Sequence, residues 1–267
     1  ANPAFIFDVN TANAGTASNQ FQLPLTYQGA ISMDVDWGDG TTDTITSYNQ
    51  AETLHTYASS GTYTISIENE VRGWRFNNSG DKAKIIGISN WGDFNFTNDK
   101  SFYGCLNMTC SATDAPTISA TNITYSFHSC YQFNGTVNNW DVSSVINIHG
   151  IFYDCPAFNQ PVNNWDTGSI ISLANIFYNC QNFDQDISSW DVADVTNAFW
   201  FMQGPNPVTL SVANYDALLI GWENQIVQNG LSIYFGNSKY TLGSAAATAR
   251  ASLISTYGWT ITDGGGI

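Results

Sequence analysis

The sequence predicts a mainly β protein in three parts. A small N-terminal β-sandwich is expected over residues 1–80, a solenoid of short coils over 81–205, and an α/β segment closing the end of the coils over 206–267. Three observations lead there. Short apolar–polar alternations separated by turn residues fill the first part. From Phe102 to Trp190 the same residue types return at a step of 25 positions, and a fixed period of that size marks stacked repeats. After Pro207 the period stops and apolar residues recur at helical spacing.

The segment FIFDVNTANAGTASNQFQLPLTY places two apolar runs around turn residues and reads as two strands. Met33, Val35 and Trp37 then alternate with Asp34 and Asp36. Gly38-Asp39-Gly40 forms a tight turn, and Thr42, Thr44 and Thr46 lie on a return strand. Tyr57, Tyr63, Ile65 and Ile67 alternate with polar residues around Ser60-Gly61.

Trp37-Gly38-Asp39-Gly40-Thr41, with His55-Thr56-Tyr57 and Gly61-Thr62-Tyr63, resembles a PKD-type immunoglobulin-like domain over approximately residues 1–75. The resemblance implies a sandwich whose core holds Trp37 and Tyr57, in a module that binds or spaces and does not catalyse. The carboxylates of this turn raise a calcium reading. An EF-hand loop needs oxygen ligands at alternating positions and a later Glu. Here Gly38 takes the third such position and no Glu follows. A hydrogen-bonded turn is the simpler reading, with Asp36 and Asp39 kept as candidate calcium ligands.

Arg72, Arg75, Lys82 and Lys84 put four of the seven basic residues into one short stretch. They read as a solvated linker or as a docking surface for an acidic partner, such as a neighbouring copy. From Ile85 the repeat pattern begins. Phe102, Phe127, Phe152 and Phe177 form one column, Cys105, Cys130, Cys155 and Cys180 a second, and Trp140, Trp165 and Trp190 a third. Regular return of large apolar side chains is what a shared core demands, and burying each is worth roughly 1.5–3 kcal/mol. Val145 and Ile148 are expected to precede the turn as a short strand. The four periodic cysteines read as small apolar residues of the interior. Disulfides between neighbouring coils would need local adjustment, because strands lie about 4.8 Å apart and a disulfide sets Cβ atoms about 3.8 Å apart.

The run Phe152-Tyr153-Asp154-Cys155-Pro156-Ala157-Phe158-Asn159-Gln160-Pro161-Val162-Asn163-Asn164-Trp165-Asp166, with its copies one step either side, resembles the BspA-like bacterial surface-protein repeats, relatives of the leucine-rich repeats. Ile148 and Leu173 stand where that family often has Met. The resemblance implies a leucine-rich-repeat-like solenoid outside the cell, used for adhesion or recognition. The residue after each inward Phe is Tyr103, His128, Tyr153 or Tyr178. On a strand, the neighbour of an inward residue points outward, so these four are the candidate ligand-binding column. Their rings suit the faces of sugars, and Ser129, Asp154 and Asn179 stand ready for hydroxyl groups.

Beyond the repeats, Ser211 is an N-cap candidate for a helix carrying Tyr215, Leu218, Leu219, Trp222 and Ile226 on one side. LSIYFG and WTITD read as strands. The Ala-rich run between them reads as a helix stopped by Gly258.

Formal net charge is −15, and no Lys or Arg occurs between Lys100 and Lys239. Nucleic acid, whose binding needs cations to neutralise phosphate, is therefore not an expected partner, and neither is an anionic membrane surface. No segment is long and apolar enough to span a bilayer. His55, His128 and His149 are scattered, and no nucleophile, zinc or phosphate motif is present. Asp184 and Asp186 resemble a glycosidase pair only in type. They fall where the preceding repeat has Asn159 and Pro161, and read as surface charges. The expectation is a non-catalytic extracellular protein without a cofactor, meeting glycan or protein on a cell surface through its repeats, with self-association a further option. The alternative is a self-assembling structural protein, such as a bacteriophage virion decoration or fibre component. That alternative leans on Ala1, the kind of residue left by removal of an initiator Met and also the kind left by signal-peptide cleavage; the first reading favours assembly.

Overall fold

The structure, a computed structural model, describes residues 3–28 and 31–267; Ala1, on which the reading of the chain's start rests, lies outside them. The chain packs as two compact units, Ala1–Thr136 and Val137–Ile267.

In the first unit β1 (Phe5–Asn10), β2 (Gln20–Gln22), β3 (Met33–Asp36), β4 (Thr42–Ile45), β5 (Leu54–Thr56) and β6 (Thr62–Glu68) follow the alternations of the sequence. β7 (Ile85–Asn90), β8 (Asn95–Phe96), β9 (Thr109–Cys110) and β10 (Thr117–Ile118) follow. One six-stranded sheet has the order β4-β3-β6-β1-β7-β9, while β10 with β8 and β2 with β5 make two-stranded sheets. Phe5, Phe7 and Val9 of β1 face the core with Ile65 and Ile67 of β6. Trp37, Tyr57 and Trp74 are also buried there.

The second unit holds α1 (Val212–Glu223), β11 (Ser232–Tyr234), α2 (Ala245–Ser255) and β12 (Thr260–Thr262). Ser211 accepts the backbone N–H of Asn214 at 3.4 Å, and Ser244 accepts those of Ala246 and Ala247. Both helices therefore start on a serine that satisfies an orphan donor. Gly258, at φ 68°, ends α2 by letting its own N–H reach Ile254 O. The first of these helices is shorter than its apolar spacing suggests. It ends at Glu223, and Ile226 is 87% exposed.

The sandwich-plus-solenoid expectation is corrected. The described residues form small mixed sheets with two helices. Strands still outnumber helices, but they are not arranged as foreseen. β7, assigned by its sequence to the coils, pairs antiparallel with β1, so it widens the N-terminal sheet instead of starting a separate stack. Among the described residues the parallel pairs β7–β9 and β8–β10 are not continued by a sheet along the later repeats. Asn147, Ser172 and Asn197 meet only as isolated parallel bridges, and Val145 and Ile148 lie in no strand. The physical reason lies two or three residues further on. Positions 100, 125, 150, 175 and 200 all have φ between 54° and 59°. A left-handed residue at each of them ends the extended backbone after a single bridge.

The repeats are joined nonetheless by main-chain hydrogen bonds at a step of 24 residues. In the second unit these run from Gly150 N to Ala174 O, Asp154 N to Tyr178 O and Phe177 N to Phe201 O. In the first they run from Lys100 N to Thr124 O and Phe102 N to Ser126 O. Phe102, Phe127, Phe152 and Phe177 are fully enclosed, and Trp140, Trp165 and Trp190 are at most 4% exposed.

Asp184 has a structural task. Its Oδ1 accepts the N–H of Ser211 at 2.8 Å and the amide of Asn214 at 2.8 Å, which seats the start of α1 on the last repeat. Further along α1, Gly221 lies so close to the backbone of Ser188 that a Cβ there would run into the Ser188 carbonyl oxygen. Alanine in a helix interior normally gains about 1 kcal/mol over glycine. Overpacking against fixed backbone costs about 1–3 kcal/mol, so Gly221→Ala is expected to destabilise despite its helix propensity. A urea titration reads this as a lower midpoint; a higher one would mean that α1 does not sit this tightly.

Candidate functional site

Each repeat turns through five residues whose first and last are left-handed. The last positions are Gly104, Ser129, Asp154, Asn179 and Gly204, all with positive φ. Gly, Asn and Asp are the residues that adopt this conformation at least cost, which explains the residue types in this column. Between the two left-handed ends of the first four turns the Phe points inward, and the next residue carries the ring of the candidate column; the fifth has Met202 and Gln203 there.

Those rings sit on turns and not on strands, and all four are half-buried. In the first unit Tyr103 and His128 stack at 4.2 Å with an interplanar angle of 6°. In the second unit Tyr153 and Tyr178 stack at 4.3 Å and 11°. Rings packed in this way cover one another's faces and turn their edges outward, so each pair resembles a cross-strand aromatic contact, worth roughly 0.2–1 kcal/mol. Beside the tyrosines, Asn179 donates to Asp154 Oδ1 at 2.5 Å. His149 Nε2 lies 3.1 Å from the amide nitrogen of Asn175, and burial holds the His149 pKa below its usual value.

Two rings of this region belong to no column singled out from the sequence. Tyr125 and Trp200 occupy the left-handed position that opens the turn. Tyr125 reaches Tyr103 at 6.4 Å, and burial first, then Tyr103, raises its phenol pKa. Trp200 reaches Tyr178 at 6.1 Å, tilted by 49°. Phe199 stacks on Trp200 at 4.5 Å and meets Tyr234 edge-on at 6.0 Å. Phe199 and Trp200 are 43% and 39% exposed. The signal available in the sequence was the register of Lys100, Tyr125, Gly150, Asn175 and Trp200, which are 25 residues apart.

The cysteines are unbridged. Burial pushes the thiols of Cys105, Cys130 and Cys180 up, so they stay protonated and keep a donor. Cys130 donates to Phe102 O at 3.1 Å and Cys180 to Phe152 O at 2.8 Å, each reaching back one repeat. A small apolar side chain with a weak donor suits that slot.

In the N-terminal turn, Asp36 Oδ1 accepts the N–H of Gly38 at 2.9 Å. Asp39 accepts from the backbone and hydroxyl of Thr41 and pairs with His55 Nε2 at 2.9 Å. Burial would raise the Asp39 pKa, but the hydrogen bonds from Thr41 and His55 outweigh it and hold the carboxyl below its usual range. These two candidate calcium ligands thus spend oxygens on their own turn. Among the described residues no three His, Cys, Asp or Glu side chains gather into a metal cluster.

The family described as "Mycoplasma protein of unknown function, DUF285" matches residues 97–215. That span holds the repeats and the start of α1, and the family is surface-protein-like and related to the BspA-like repeats. No curated protein and no solved structure matches the chain. Among the described residues no helix is long and apolar enough to cross a membrane.

Proposed function

We propose that this is a non-catalytic recognition protein of an extracellular surface, which adheres to glycan or protein through the turn face of its repeats. The observation that carries the reading is the pair of ring stacks, Tyr103 with His128 and Tyr153 with Tyr178, placed at one register position on the outside of each turn. A buried aromatic core needs no such rings at its surface. The similarity of residues 97–215 to a surface-protein-like family supports the location. The PKD-type residues Trp37, Asp39, His55 and Tyr57 form one connected cluster, with Trp37 stacked on His55 at 4.6 Å and Tyr57 donating to Trp37 O. That cluster supports a spacer or binding role for the N-terminal part. The coupled titratable groups support a non-catalytic reading, because they hold the fold together. Tyr215 donates to Asp263, which also takes a two-point contact from Arg250.

The test is an array of cell-surface glycans and proteins probed with the whole chain. The double variant Tyr153→Ala/Tyr178→Ala is expected to lose binding by about tenfold or more, as removal of central aromatic anchors does. Unchanged binding by the double variant, or an array with no ligand at all, would sink the reading.

A further inference from the structure

The ring contacts of the second unit form an unbroken chain. Tyr153 stacks on Tyr178, Tyr178 meets Trp200, Trp200 stacks on Phe199, and Phe199 meets Tyr234. Along this chain the two tyrosines of the column use their faces on each other. At Trp200 the plane tilts by 49° and the stack breaks, and the two most exposed rings follow. The most exposed ring surface of this chain of contacts therefore lies at Trp200 and Phe199, beside the column.

Trp200 is also placed at a cost. Its backbone is left-handed at φ 56°, as at the equivalent Lys100, Tyr125, Gly150 and Asn175, of which Gly and Asn adopt it at least cost. A bulky residue in that region is an outlier that persists only where something else requires it. Nothing in the packing of the core requires an indole that is 39% exposed.

The polar groups beside the strip say what it would accept. They are the Asp154–Asn179 pair and His149, which shares the amide of the buried Asn175. These are acceptors and neutral donors suited to hydroxyl groups. No Lys or Arg stands between Lys100 and Lys239, so residues 153–234 offer an acidic ligand no cation, and the Asp154 carboxylate repels it. We infer that the strip from Tyr153 to Tyr234 is a binding platform for an uncharged glycan chain, with Trp200 as its anchor. This rests on the recognition role proposed above and gives it a ligand class and a location.

The experiment uses the whole chain with neutral hexasaccharides of glucose, mannose and N-acetylglucosamine, against hyaluronan and polygalacturonate fragments. Binding is read by calorimetry and by the shift of tryptophan emission. At least one neutral sugar is expected to bind and the acidic ones are not. Trp200→Asn fits the left-handed slot as Asn175 does, so its thermal midpoint is expected to hold while affinity falls about tenfold or more. Phe199→Ala is expected to weaken binding less. Unchanged affinity in Trp200→Asn, binding of the acidic fragments alone, or no binding of any neutral sugar would each overturn the platform. If an array protein binds and is lost with Tyr153→Ala/Tyr178→Ala while no neutral sugar binds, the recognition role stands and the glycan platform falls.

Discussion

Lys84→Met is expected to lower the free energy of unfolding by about 3–5 kcal/mol, the usual result of breaking one side of a buried ion pair. Lys84 and Asp81 are both fully enclosed, with Nζ 3.9 Å from Asp81 Oδ1. The ammonium group is held chiefly by the loop that crosses it. Its donors face Thr16 O at 3.1 Å, Thr16 Oγ1 at 3.0 Å, Ala17 O at 2.8 Å and Gln20 O at 2.7 Å. Asp81 holds the same loop from its other side, accepting the N–H and hydroxyl of Thr16 and the N–H of Gln22. Gly15 is needed where the chain passes Asp81, since a Cβ there would collide with the carboxylate. Burial pulls the Lys84 pKa down and Asp81 opposes that pull. Methionine matches the length of the side chain but supplies no donor, so Thr16 O and Gln20 O lose the ammonium, Ala17 O keeps only the N–H of Gln20, and the Asp81 charge is left buried. Asp81→Asn is expected to cost a comparable amount, and the double variant less than the sum, because removing both charges removes the penalty of an orphan. Urea titrations of the three variants read the coupling. If Lys84→Met stayed within about 1 kcal/mol of the parent, the pair would be a surface-like contact and this account would fail.

Lys84 also shows where sequence reasoning stops. In the sequence it belongs to a basic cluster with Arg72, Arg75 and Lys82 and reads as solvated or as a docking surface. Arg72 pairs with Glu70, Arg75 with Asp99, and Lys82 with Asn78. Lys84 is taken inside by residues 16–20, which are distant in the chain and carry no local signal for it. The aromatic core was legible because a period of 25 fixes which side chains must share an interior. The backbone between them was not, because the period carries no information on φ. The column of Lys100, Tyr125, Gly150, Asn175 and Trp200 shows five different side chains for one left-handed conformation. That variety hid both the turns, which were taken for strands, and the two rings at the heads of turns. The register of Tyr103, His128, Tyr153 and Tyr178 is readable in the sequence, but the stacking of their faces depends on the turn geometry and is seen only in the structure.

Trp190→Ala is expected to cost about 3–5 kcal/mol, the range for emptying a buried aromatic site, and the repeat register explains why phenylalanine cannot repair it. Trp190 is fully buried and stacks parallel to Trp165 at 6.1 Å. Its indole N–H donates to Val162 O at 2.9 Å. Trp165 makes the same bond to Val137 O at 2.8 Å. The acceptors Val137, Val162 and Ile187 are equivalent positions, 25 residues apart. The carbonyl of Ile187 accepts the N–H of Trp190 at 3.2 Å, but the indole donor that a further repeat would bring is missing, since the period has ended. Trp222 supplies it, donating at 3.0 Å from a helix and not from a repeat. Gln225 adds bonds to Val192 N and Trp190 O beside it. Helix α1 thus supplies, from different secondary structure, the one donor that the next repeat would have provided. Trp190→Phe and Trp222→Phe keep a ring and delete only that donor; Val162 O keeps the N–H of Trp165 and Ile187 O that of Trp190, so each is expected to cost about 0.5–1.5 kcal/mol, the net worth of one hydrogen bond. The two losses are expected to agree within about 1 kcal/mol, because they break the same bond to the same repeat position. Chemical denaturation of the variants measures this. A Trp222→Phe protein as stable as the parent would show that α1 rests on the last repeat through apolar contact alone.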